Sequence, residues 1–378
     1  MGSTAGFTRK EKKIILKYKE VQGITTKGRK RTAAPEKKEE NGMLSVKENF
    51  FETVKPDGHP DRLMKQYEGL AFLNMNPVLK YIRGDRHPGM PPTKDRFGTE
   101  ILWPEGQVAA MPHVTEANKV IPDITEWKDY LKIPDIVKEC SDPALWEPYI
   151  KQAEEYRAEG KILMGYLPTG LFERLHFLMG FEDMLMNFLL EPEAMHELID
   201  AIGEYRYQFM KLSVDYLKPD VVISHDDWGS KRSLFISPDT WREFIKPHYQ
   251  KMYSYMNEKG VLVMHHADSF LEPIIDDMVE IGINIWQGAL PENDIVKIQK
   301  QVNGKMTLMG GIDASIVDRA DSTEKEIRTE TRRACETYAP GGHFIPCITY
   351  GGPGCLYKHV DPIINDEIDK YNKKVYGV

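Results

Sequence analysis

Cysteine is scarce in this chain. Four stand among 378 residues, at Cys140, Cys335, Cys347 and Cys355. That is too few for a disulfide framework, and a reducing, cytoplasmic setting is expected. Long apolar runs are missing as well. None approaches the roughly 20 residues needed to span a bilayer, and the opening stretch holds only Ile14-Ile15-Leu16 as an aliphatic run, which is no signal core. Positive charge is in deficit: the formal net charge is −8, so bulk binding to nucleic acid is disfavoured. Several catalytic signatures are also absent. No GxGxxG follows a strand pattern, no GxSxG occurs, and neither CxxC nor HExxH is present. Gly351-Gly352-Pro353-Gly354 lacks the Lys-Ser/Thr of a phosphate loop and reads as a turn.

What is present is unevenly distributed. Residues 1–42 hold twelve Lys/Arg against five Asp/Glu, a balance of +7, so the remainder carries −15. The stretch Lys27 to Asn41 reads KGRKRTAAPEKKEEN, without apolar periodicity. Residues 1–42 therefore read as a flexible or loosely docked basic arm, either a solvated extension or a reach toward an acidic partner. An ordered domain is expected over 43–378. There, short apolar runs alternate with helical patterns, the mark of βα units. Strands are expected at Gly69–Leu73, Gln107–Met111, Lys161–Tyr166, Asp220–Ser224, Gly260–His265, Ile283–Gln287, Lys305–Gly310 and Gly342–Pro346. Met195, Leu198, Ile199, Ile202 and Phe209 keep helical spacing after Pro192, and Ser237-Pro238 reads as a helix cap. Eight strands alternating with helices predict an α/β fold of the (β/α)8 TIM-barrel type with an N-terminal extension.

In such barrels the chemistry sits where strands end. Those ends carry Tyr166, Ser224-His225-Asp226-Asp227-Trp228, His265-His266-Ala267-Asp268, Trp286-Gln287, Gly310-Gly311-Ile312-Asp313 and Cys347-Ile348-Thr349-Tyr350. His266, Asp268 and Cys347 form the best metal set, because imidazole, carboxylate and thiolate together suit Zn²⁺. A packed histidine and a small buried cysteine remain the alternative. Asp226 and Asp227 can ligate, orient a base or shift one another's pKa, and either can simply cap a loop. Trp228, Trp286 and Tyr350 are candidates to line a substrate pocket, with core packing as the other use of such rings.

At these residues the chain resembles the uroporphyrinogen decarboxylase superfamily, from about Ser45 to Tyr376. The resemblance rests on Pro60-Asp61-Arg62, on Asp226-Asp227-Trp228-Gly229, on Ile236-Ser237-Pro238 and Trp241-Arg242-Glu243-Phe244, on the run from His266 to Gly282, and on Gly310-Gly311-Ile312-Asp313. It implies a (β/α)8 barrel. The decarboxylase branch binds a tetrapyrrole bearing eight carboxylates through an Arg-Gln-Ala-Gly-Arg segment. Here that stretch reads Met64-Lys65-Gln66-Tyr67-Glu68-Gly69-Leu70. Both arginines are missing, and unpaired carboxylates are costly to desolvate.

The second branch comprises zinc methyltransferases that work with corrinoid proteins and carry His-x-Cys and a later Cys. The resemblance places His266 on the histidine, Asp268 where the first cysteine stands, and Cys347 on the second. Asp for Cys leaves a harder Lewis acid, suited to an ether oxygen. The run Phe344 to Gly351 also resembles the subgroup that demethylates methoxylated aromatics. The resemblance thus implies a zinc-dependent methyltransferase passing a methyl group from a small methoxylated substrate to a separate corrinoid protein. Asp226, Asp227 and Tyr166 would act in catalysis. No Asp-x-His-x-x-Gly corrinoid motif occurs in the chain itself. A metal-independent decarboxylase or lyase using Asp226 and His266, and a catalytically silent barrel that binds a corrinoid protein, are the competing readings.

Overall fold

The computed structural model describes residues 42–107, 109–350 and 354–378. The expected arm falls almost wholly outside the described residues. Ten strands run in chain order: β1 Leu70–Leu73, β2 Thr93–Lys94, β3 Glu100–Leu102, β4 Met111–Pro112, β5 Ile162–Leu167, β6 Val221–His225, β7 Leu262–His266, β8 Ile285–Ala289, β9 Thr307–Gly311 and β10 Phe344–Cys347. Seven of them form one sheet in the order β1-β5-β6-β7-β8-β9-β10, and every neighbouring pair is parallel.

The sheet curls. Leu70 and Phe72 of β1, Ile162 and Met164 of β5, Val221 and Ile223 of β6, Met264 of β7, Ile285 of β8, Met309 of β9, and Ile345 and Cys347 of β10 all meet in one apolar cluster. Side chains two apart share a face of a strand, so this cluster is the inside of the curl. The helix Val46–Val54 sends Phe50 and Val54 into it. This helix closes the end where strands begin: the carbonyl of Thr53 accepts from Thr307 Oγ1 at 3.2 Å and is 3.0 Å from His343 Nδ1. The outer face packs against helices, among them Pro192–Leu217, whose Met195, Leu198, Ile199, Ile202 and Phe209 are buried as their spacing predicts.

The architecture is α/β and TIM-like, with one correction to the expected eight strands. Gln107–Met111 contributes no barrel strand. Met111–Pro112 instead pairs antiparallel with Glu100–Leu102 in a separate three-stranded ribbon. A parallel barrel strand is buried on both faces, but Met111 is 56% exposed and the run before it is broken by Pro104 and by Gly106 at positive φ. Among the described residues β1 and β10 remain the edges of the sheet. No helix among them is long and apolar enough to cross a membrane.

Candidate metal centre

Strand register sets the site. His225 is the Cα partner of His266, and His266 of Gln287. Each stands two residues beyond an interior apolar side chain, namely Ile223, Met264 and Ile285. All three therefore face inward at the end where the strands stop. Their neighbours Ser224, His265 and Trp286 face the helices.

His225, Asp227 and His266 each bring a ligand atom to within 4.8 Å of the others. Both imidazoles are already fixed by their second nitrogen. His225 Nδ1 lies 2.9 Å from Glu173 Oε2. His266 Nδ1 is bonded to Gln287 Oε1, and Gln287 is anchored through Nε2 to the carbonyl of Tyr350 at 3.0 Å. In each ring Nε2 is the nitrogen left to donate to an ion. Metal-binding histidines usually carry such a partner behind them, which holds tautomer and ring orientation. Asp227 Oδ1 accepts from the backbone N–H of Asp268 at 3.1 Å.

The electrostatics favour a cation. Burial alone would raise Glu173 and lower His225, but their mutual attraction overrides it, holding Glu173 ionised and His225 protonated. Burial, followed by the charges of Glu173 and Asp268, pushes Asp227 above the usual carboxylate range. Asp268 is raised by burial too. Burial and the adjacent His225 charge lower His266 to about 3. Three carboxyl groups thus surround one imidazolium; a divalent ion binding there would displace the Nε2 proton of His225 and take over its pairing with the carboxylates.

Asp226 has a different place. Its carboxylate accepts from the backbone N–H groups of Phe172 (3.0 Å) and Glu173 (2.9 Å), from Trp228 Nε1 (2.9 Å) and from the Tyr249 hydroxyl (2.6 Å). It caps the helix Leu171–Met179 from a neighbouring strand end, and so places Glu173. Gly170 precedes that helix because a Cβ there would fall 1.8 Å from Asp226 Oδ1.

The other residues singled out in the sequence scatter. Cys347 points inward but lies in the apolar cluster, where burial raises its thiol well above the usual range. Asp268 adjoins Asp227, yet neither Asp268 nor Cys347 belongs to the convergent group. Trp228 is buried against His265, rings stacked at 4.0 Å. Trp286 is buried with Nε1 on the carbonyl of Ala267 at 3.0 Å. Both lie between sheet and helices, away from the interior. Tyr350 is partly buried above Gln287, with its phenol pushed up to about 12 by burial and then by Asp318. Tyr166 does line the interior, edge-on to Phe72 at 5.3 Å. His225 and Glu173 went unread as site residues. The signal available for His225 was its period-two spacing from Val221 and Ile223, while Glu173 depends on a contact 52 positions away. A separate hollow of about 490 Å³, lined in part by Pro56, Gln299, Lys300 and His343, sits where β9 and β10 begin, at the opposite end.

Known proteins agree with the frame. Two curated relatives, the uroporphyrinogen decarboxylases of two strains of Thermus thermophilus, are each 23% identical over 226 residues, 60% of this chain. The match spans 55% of the length of each. A solved structure, a methyltransferase from Methanosarcina mazei, superposes with a TM-score of 0.54 at 17% identity, covering 73% of this chain and 76% of that one; at that identity it shows the fold alone. The family model for uroporphyrinogen decarboxylase (URO-D) matches residues 148–353, more than half of the chain, and the chain belongs to that family.

Proposed function

We propose that this chain is a metal-dependent methyltransferase that removes a methyl group from a small methoxylated aromatic and delivers it to the cobalt of a separate corrinoid protein. The observation that carries the reading is the convergence of His225, Asp227 and His266, with both imidazoles braced through Nδ1. Two imidazoles and a carboxylate are a known catalytic zinc donor set, and three protein ligands leave a position for a substrate oxygen. The proposed ligands are therefore His225, Asp227 and His266, in place of the set His266, Asp268 and Cys347. The name of the Methanosarcina mazei neighbour and the ether-demethylating subgroup that the sequence resembles supply the choice of reaction.

The metal, when bound, supplies Lewis acidity toward the ether oxygen. The chain does the rest. Glu173 and Gln287 hold the imidazoles in their donating tautomers. Tyr166 and Phe72 offer ring surfaces for an aromatic substrate. Methyl transfer breaks the C–O bond and leaves its electron pair on the phenolate oxygen, and Tyr166, one of the tyrosines packed against the interior cluster, is suited to give that oxygen a hydrogen bond. Asp226 is saturated by four donors, which disfavours metal-independent acid–base chemistry through it.

The test is direct. Protein purified without added metal should carry about one Zn²⁺ per chain. With a reduced cobalamin as acceptor, it should form methylcobalamin from some member of a methoxybenzene panel. Chelation should abolish that activity and zinc restore it. Methyl transfer at full rate by metal-free protein would refute the proposal.

A further inference from the structure

A buried arginine stands behind the proposed metal ligands with no carboxylate to pair it. Arg206 comes from the helix Pro192–Leu217 and is 3% exposed. Among the described residues it forms no ion pair; its Nη1 donates to the carbonyl of Thr169, and its Nη2 to Ser224 Oγ at 3.3 Å. Its Nε is shut off from solvent with no hydrogen-bond partner. The void beside it, lined by Leu171, Gly203, His248, Tyr249 and Met252, brings no carboxylate. An unpaired cation is expensive to bury. Burial opposes the Arg206 charge, and the fields of Asp226 and Glu173 are among those that sustain it. A methionine would fill similar space without that cost, so the guanidinium answers to its bonds rather than to packing.

The stronger of those bonds holds one peptide plane. Thr169 stands at φ 50°, a left-handed conformation that β-branched residues rarely adopt. Its carbonyl is anchored by Arg206. The N–H of Gly170 belongs to the same planar unit and points the opposite way, as in any trans peptide. That N–H donates to Glu173 Oε2 at 2.8 Å, and the same oxygen lies 2.9 Å from His225 Nδ1. An unbroken line of hydrogen bonds thus runs from Arg206, through the Thr169–Gly170 peptide and Glu173, to His225. Asp226 takes the N–H groups of Phe172 and Glu173, further along the same turn. A charged donor at one end of such a line strengthens the bonds that follow.

We propose that Arg206 is a positioning residue for the metal centre, fixing the Thr169–Gly170 peptide so that Glu173 braces His225. The inference rests on the ligand set proposed above, and its test therefore has a metal-free arm as well as a zinc arm.

In the zinc arm, chelator competition on the full-length protein reads metal affinity. Arg206→Met should weaken zinc binding about tenfold, and Arg206→Lys, which keeps the charge and loses the fork, should recover part of that. In a Glu173→Ala background, where the brace is gone, Arg206→Met should cost no more than about twofold further. Unaltered affinity in both Arg206 variants overturns the proposal. So does a loss that adds in full to that of Glu173→Ala, because the arginine then acts on the fold in general. In the metal-free arm, hydrogen exchange is followed by mass spectrometry. Either Arg206 variant should speed exchange across residues 170–175 by about tenfold or more while leaving the helix Glu324–Tyr338 unchanged. Unchanged exchange across residues 170–175, or an equal rise in both segments, overturns the proposal. If local exchange rises while the unaltered chain binds no zinc, the ligand set fails and the peptide clamp stands.

Discussion

Glu173 is not itself a proposed ligand, yet it decides what His225 can do. Its Oε2 holds the Nδ1 side of the imidazole at 2.9 Å and accepts from the Gly170 N–H at 2.8 Å. Glu173→Gln keeps the shape and removes the charge. Loss of such a backing group lowers metal affinity about 10- to 100-fold. A chelator competition should show that weakening while the fold signal is unchanged; unaltered affinity would mean that His225 is not a ligand. Part of this was legible in the sequence. His266 and Asp227 stand out because both lie at strand ends within the runs that carry the family resemblance. The neighbouring His225 has only its period-two spacing from Val221 and Ile223, which marks a site residue once those two side chains are seen inside the curl. Trp286 misled for the same reason. It precedes the inward Gln287 by one residue, and a shift of one moves a side chain to the opposite face.

The element on which the site leans is the helix Leu171–Met179. Its first turn has an acceptor from β6's loop where a local side-chain cap is ordinarily found: Gly170 has no side chain, and Asp226 reaches in from 53 residues away. Asp226→Ala should leave buried N–H and O–H donors without a partner. We expect a loss on the order of 3–5 kcal/mol in urea unfolding, together with weaker metal binding, because Glu173 sits in that same turn. A loss below about 1 kcal/mol would show that water replaces the carboxylate. Helix starts built from local signals were readable. Ser237-Pro238 caps its helix as expected, with Ser237 Oγ accepting from the Thr240 N–H at 3.0 Å. The cap by Asp226 was not readable, since sequence spacing carries no trace of it. The strand expected at Gln107–Met111 failed for a related reason. A short apolar stretch does not reveal whether both of its faces will be covered, and here Met111 lies exposed.

At the scale of the whole molecule, the alternation of apolar runs with helical patterns made the parallel sheet legible. Closure was not, because a seven-strand curl and an eight-strand barrel share that alternation. The charge asymmetry of the chain belongs here too. Residues 1–42 carry +7 without apolar periodicity, so their deletion should move the thermal midpoint by no more than about 2 °C. A drop of many degrees in a melting curve would make them part of the fold. Strands from across the chain bring His225, Asp227 and His266 together, and we propose that they do so around one metal ion. X-ray absorption at the zinc edge of the purified protein reads that coordination shell directly. Nitrogen and oxygen neighbours are expected at about 2.0–2.2 Å, with two imidazole scattering patterns and no sulfur. A sulfur neighbour at about 2.3 Å would place Cys347 on the metal and contradict it.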